Sequence, residues 1–195
     1  MQAANALQEF VETLGGALGA RVEGGTPEAA ITATVFGSLK PPLEPRTLAP
    51  AHEGPWPELL ASALEPAKRA GGDLSALAAA FERLEPHLAW TRGRRGMKPG
   101  DPVDLHATIV GPEGLAQRTD AWIGVSLLAP HREYVDHHHP PPEVYLVLSP
   151  GEWRRRADPW FEPGVGGTVY NEPDVLHNMR SGNAPLFAFW CLPLG

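Results

Sequence analysis

Apolar residues in the first half of the chain recur every three to four positions, the period of a helix with one buried face. Leu7, Phe10, Val11, Leu14 and Leu18 form the first such stripe, and Gly15, Gly16 and Gly19 weaken its far end. Thr26, Pro27 and Glu28 then supply an N-cap, a pre-set first turn and an acid favoured by the helix dipole. The stripe Ile31, Val35, Phe36 and Leu39 follows and ends at Lys40-Pro41-Pro42. Six prolines from Lys40 to Pro57 are too many for a helix or a central strand, and predict an extended strap over the surface. A short helix starting near Trp56 carries Leu59, Leu60, Ala63 and Leu64, with Pro66 expected to break or kink it. Asp73 caps another helix with Leu74, Leu77, Phe81 and Leu84 on one face, and Pro86 stops it.

After about Leu88 the period falls to two. Val103, Leu105, Ala107 and Ile109 alternate with Asp104, His106 and Thr108, and Gly111-Pro112-Glu113-Gly114 marks a turn. Further short strands are predicted at 122–129, 143–148, 153–156, 165–170, 176–180 and 186–191. Strands this short with turn signals between them mean a sandwich or a barrel. The chain thus divides into a helical N-terminal subdomain, 1–95, packed on a β part, 96–195.

Composition narrows the functional classes. The 195 residues carry 16 basic and 23 acidic side chains, a formal charge of −7, which argues against a phosphate-backbone ligand. One cysteine, Cys191, permits no disulfide within the chain and suits a reducing compartment. The first residues lack a basic leader, and no apolar run approaches the ~20 residues of a membrane span. A cytoplasmic protein without membrane or nucleic-acid partners is expected. The 21 glycines and 22 prolines exceed the ~12% of average usage, in keeping with many turns.

The densest chemistry lies in His137-His138-His139-Pro140-Pro141-Pro142-Glu143-Val144-Tyr145. Alternate residues of a strand share a face, so His137, His139, Glu143 and Tyr145 point one way if the triproline link preserves parity. Two imidazoles and a carboxylate so spaced can take three corners of one coordination sphere, suiting Zn, Fe, Mn, Co or Ni. His177, behind the turn residues Asn171-Glu172-Pro173-Asp174, is the candidate fourth ligand, leaving open positions as a catalytic metal requires. His52, His87, His106 and His131 lack such partners and read as surface or hydrogen-bonded structural residues.

The pattern HxHxxxE followed by a proline turn and a histidine resembles the two motifs of the cupin superfamily over roughly Leu105 to Leu192. Glu172 and Asp174 stand where proline and glycine are common in that pattern, and Ser181 where asparagine is expected. The fold implied is a mainly β double-stranded β-helix, a jelly-roll barrel with one divalent metal inside. Tyr145 two residues after Glu143, Tyr134 before the histidines and the helical first half resemble more closely the cupin-type dimethylsulfoniopropionate (DMSP) lyases.

That resemblance implies a metal held by His137 or His139, Glu143 and His177, with Tyr145 as base and Tyr134 closing over the substrate. The substrate implied is a small zwitterionic sulfonium carboxylate, split by β-elimination into dimethyl sulfide and acrylate. A homodimer is compatible with it, since cupin barrels often pair. An iron-dependent cupin dioxygenase and a non-catalytic small-molecule-binding cupin are the alternatives. Among the aromatic residues Tyr134, Trp153, Tyr170, Phe189 and Trp190, Tyr134 is the expected partner for a cationic sulfonium. Arg154, Arg155 and Arg156 read as a solvated face, and Cys191 as an inert buried thiol.

Overall fold

The computed structural model describes residues 1–40, 42–48, 57–92 and 104–195. Trp56, Val103, His52 and half of the proline-rich strap lie outside the described residues. Helices α1 (Gln2–Gly19), α2 (Pro27–Ser38), α3 (Pro57–Ala70) and α4 (Gly72–Leu84) are followed by a 3-10 turn, Glu85–His87. Nine strands follow among the described residues: β1 (Trp90–Arg92), β2 (Asp104–Gly111), β3 (Ala116–Gln117), β4 (Ala121–Leu128), β5 (Glu143–Val147), β6 (Glu152–Arg155), β7 (Thr168–Asn171), β8 (His177–Arg180) and β9 (Leu186–Pro193). Seven form one sheet in the order β1-β2-β4-β9-β5-β7, with β3 on β2, and β6 pairs with β8 in a second sheet. No helix among the described residues is long and apolar enough to cross a membrane.

Strand alternation divides the interior in two. On β9, Phe187, Phe189 and Cys191 join the cluster that contains Leu7, Phe10, Leu77 and Phe81 of the helices. Their neighbours Leu186, Ala188, Trp190 and Leu192 join a second cluster with Tyr145, Val147 and Val169. Val144 and Leu146 of β5 face the helices while Tyr145 and Val147 face the other way. Phe10, Phe81, Phe187 and Phe189 pack edge to face or tilted at centroid separations of 5.0–5.9 Å. Each such pair contributes about 0.5–1.5 kcal/mol beyond its buried area, so α1, α4 and β9 form one unit.

Several local expectations meet a different outcome. Pro66 lies inside α3 without ending it. Ala63, Leu64 and Ala67 of that helix are fully buried in the helical core, and this packing outweighs the hydrogen bond that proline removes. Asp73 is not the cap of α4; Gly71 is, at φ 76°, a conformation open to glycine. Asp73 instead pairs with Arg21 beyond the end of α1, and that hydrogen-bonded guanidinium lowers the carboxyl's pKa. The strand expected from Val165 starts at Thr168, because Gly164 and Gly166 adopt φ of 79° and 82° in a turn. Strand β1 pairs with β2, so the sheet takes in residues that precede 96. The described part of the strap runs beside β3, with Arg46 N–H bonded to Leu115 O at 2.8 Å.

Gly124 shows how closely the second interior is packed. A Cβ there would come within 2.1 Å of the Trp190 ring and 2.6 Å of Ala107 O. Gly124→Ala is expected to destabilise the protein by about 1–3 kcal/mol, a drop of a few degrees in Tm measurable by calorimetry.

Candidate metal centre and substrate cavity

The histidine segment runs antiparallel to β8. His137 N–H donates to His177 O at 3.1 Å and His177 N–H to His137 O at 2.9 Å, making the two residues a hydrogen-bonded pair. Directly paired residues project to the same side of a ladder, which brings the two rings to 4.1 Å. His139 joins them, its ring 5.1 Å from that of His177, while His138 points outward and lies 3.7 Å from Asp174. Glu143 opens β5 on the same side, with Oε2 3.5 Å from His139 Nε2 and 3.3 Å from His177 Nε2. The turn before His177 closes with Asp174 at φ 55°, the left-handed position for which glycine is common. Ser181, in the place of an expected asparagine, donates its hydroxyl to Ala129 O at 2.6 Å and fixes the loop that carries Tyr134.

Each imidazole is oriented by one backbone carbonyl. Nδ1 of His137 lies 3.0 Å from Val135 O, that of His139 2.8 Å from Pro141 O, and that of His177 2.9 Å from Val175 O. A carbonyl only accepts, so Nδ1 carries the proton in the neutral rings and Nε2 keeps its lone pair. One ring nitrogen from each of the three histidines lies within 4.8 Å of the other two. His177 Nε2 is buried and has no hydrogen-bond partner although a carboxylate oxygen faces it. Three converging lone pairs beside a buried carboxylate call for a positive charge, so these residues fit a divalent metal of the kind nitrogen and oxygen ligands hold.

The protonation pattern reports the same demand. Burial, which alone would raise the Glu143 pKa, is outweighed by the imidazoles of His139 and His177 beside it, which hold it down to about 2. Burial and the neighbouring His177 push His137 down to about 4. Burial also opposes protonation of His139, yet its hydrogen bond to Glu143 and that residue's charge raise its pKa overall. Burial, then the negative charge of Glu143, raises the Tyr145 phenol well above its ordinary value.

His137, His139, Glu143 and Tyr145 line a cavity of about 270 Å³. Tyr145, Tyr134, Met179, Trp122, Trp190 and Leu192 give it an apolar wall; Thr91, His106, Thr108 and Ser126 give it a polar one. Trp122 and Trp190 meet edge to face at 5.4 Å over Gly124. Tyr134 stands between His106 and His137, with ring separations of 5.0 and 4.9 Å. Of the other aromatic candidates, Trp153 is buried behind Tyr145, and Phe189 and Tyr170 belong to the helical core. The arginines 154–156 are engaged outside the cavity, Arg154 over Trp160 and with Asp136, Arg155 over Phe161 and Arg156 with Glu172.

Sequence reasoning passed over part of this wall. His106 makes the hydrogen bonds expected of a structural histidine, Nε2 to Asp104 at 3.0 Å and Nδ1 to Ser126 Oγ at 2.9 Å, but also faces the cavity. Alternation along Asp104, His106 and Thr108 carried that signal, since their partners Leu105 and Ala107 are core residues. Trp122 and Ser126, alternate residues of β4, share the cavity face for the same reason.

The DMSP lyase family (dimethylsulfoniopropionate lyase) matches residues 28–188 of this chain. The chain belongs to the DMSP lyase family. Among solved structures it is similar to DMSP lyase DddQ from Ruegeria pomeroyi DSS-3, at 20% identity and a TM-score of 0.68, covering 97% of this chain and 91% of that one. It is also similar to the structure reported for DMSP lyases RdDddP and RnDddQII, at 20% identity and a TM-score of 0.66, covering 98% and 93%. The cupin barrel with its helical N-terminal part is thus a fold this family member shares with both. No curated protein sequence matches the chain.

Two outcomes test the centre. His177→Gln should lose bound metal, read by elemental analysis, while its circular dichroism stays that of the parent. Because the His139 pKa is raised above 6.5, metal must displace its proton below that range. Apparent affinity for Zn(II) should therefore be full at high pH and fall by about tenfold per pH unit as pH drops below that value, measured by chelator competition.

Proposed function

We propose that this chain is a metal-dependent carbon–sulfur lyase that splits dimethylsulfoniopropionate by β-elimination into dimethyl sulfide and acrylate, with Tyr145 as the base. Placement of Tyr145 on the cavity face of β5, two residues from Glu143 and beside three oriented imidazoles, carries the reading. His137, His139, Glu143 and His177 would hold the divalent ion. Such an ion supplies Lewis-acid neutralisation of a substrate carboxylate and a positive charge that lowers a neighbouring phenol's pKa.

The chain's own residues account for the rest. A C–H beside a carboxylate is a weak acid, and Tyr145 as phenolate takes that proton from the α-carbon. The electron pair left behind becomes the Cα–Cβ double bond as the Cβ–S bond breaks, and the sulfur departs as neutral dimethyl sulfide. The sulfonium end is cationic and apolar, which suits the faces and edges of Tyr134, Trp122 and Trp190 better than a charged wall. Tyr134, flanked by two imidazoles on the loop over the cavity, closes that end. Burial of Tyr145 at 3% exposure keeps water from competing for the proton. We further read residues 1–95 as a helical subdomain of a cytoplasmic enzyme whose partner is this small zwitterion.

Tyr145→Phe should reduce release of acrylate and dimethyl sulfide by at least about a hundredfold, the scale of a lost general base, with metal content unchanged. Activity equal to the parent's would remove Tyr145 from the reaction. Oxygen uptake with iron as the sole active metal would replace the lyase by the dioxygenase reading.

A further inference from the structure

Asn171, the last residue of β7, lies directly opposite Glu143 in the β5–β7 ladder. It is wholly buried, and its Nδ2 donates to Glu143 Oε2 at 2.9 Å. Its other polar atom, Oδ1, is buried with no hydrogen-bond partner. The amide is thus held in the interior for one bond, to the same carboxylate oxygen that faces His177 Nε2 and His139 Nε2 at 3.3 and 3.5 Å. A reversed amide would set Oδ1 against the carboxylate, two acceptors in contact, so the donor assignment follows from charge.

We infer that Asn171 is the positioning residue for the metal centre, selecting Oε2 of Glu143 as the ligand oxygen and sharing its negative charge. The role rests on the metal reading above. A carboxylate can turn about its terminal torsion and offer either oxygen, or both. The donated hydrogen bond fixes that torsion and draws density from Oε2, as partners behind metal ligands do elsewhere. The ladder register makes the placement rigid: Tyr145 faces Val169, and Glu143 faces Asn171, on the same side of the sheet. Asn171 Nδ2 lies nearer Glu143 Oε2 than either imidazole nitrogen does, at 2.9 Å against 3.3 and 3.5 Å. An apolar residue at 171 would leave the carboxylate free to rotate between a one-oxygen and a two-oxygen mode of ligation.

The test is a double-mutant cycle on metal-free protein titrated with Co(II), reading affinity by chelator competition and the visible d–d bands. Asn171→Leu should bind Co(II) about 10–100-fold more weakly and shift the bands, the range seen when such a partner is lost. In a Glu143→Gln background the same substitution should cost less than about twofold, because the oxygen it positions is gone. Asn171→Ser, which keeps a hydroxyl donor and is smaller, should recover part of the affinity and is read the same way should the leucine variant not fold. Parent affinity and bands in both variants, or an equal loss in the Glu143→Gln background, would overturn the role. Failure of the parent to bind Co(II) would instead sink the metal reading, and this role with it.

Discussion

Two-residue alternation on β5 and β9 is the constraint from which the rest of the molecule follows. Even and odd positions of each strand serve different interiors, one filled by helices and one left partly hollow. A shift of register by one residue would turn Phe187 and Phe189 toward the cavity and Trp190 toward the helices. Helical packing thus fixes the register, and the register places Glu143 and Tyr145 on the chemical side. The four phenylalanines lie in the helical interior, yet their packing helps set the face on which Glu143 and Tyr145 stand.

Much of this was legible in the chain because alternation is a property of sequence. The parity of His137, His139, Glu143 and Tyr145 is visible in a single line of residues, and the side chains lie on one side of the cavity. The helical stripes were equally plain, since Leu7, Phe10, Leu14 and Phe81 each obey the helical period. What escaped were relations across strands. Asn171 is unremarkable in its turn motif until the ladder sets it opposite Glu143. His106 looked solitary because its partners are Asp104, two residues away, and Ser126, on a strand whose pairing no local pattern dictates. Pro66 and Asp73 misled for the opposite reason: local propensity favoured a break and a cap, and burial of Ala67 and a pairing with Arg21 prevailed.

The electrostatics of the site have one theme, a carboxylate and a phenol buried with too little positive charge. Glu143 is kept ionised by the two imidazoles beside it, and burial, then the charge of Glu143, suppresses ionisation of Tyr145. Without a cation the Tyr145 phenol therefore stays protonated at neutral pH, the wrong state for the proton abstraction proposed for it. The same ring of backbone carbonyls that denies Nδ1 to solvent leaves Nε2 available for a cation, so the defect and its remedy share one geometry.

The three consecutive prolines between His139 and Glu143 carry a thermodynamic consequence of their own. Their rings lock φ, so the span joining His139 to Glu143 would have little freedom to surrender on binding an ion. Pro141 even lends its carbonyl to hold His139. A cation held by so stiffened a segment would cost little ordering entropy.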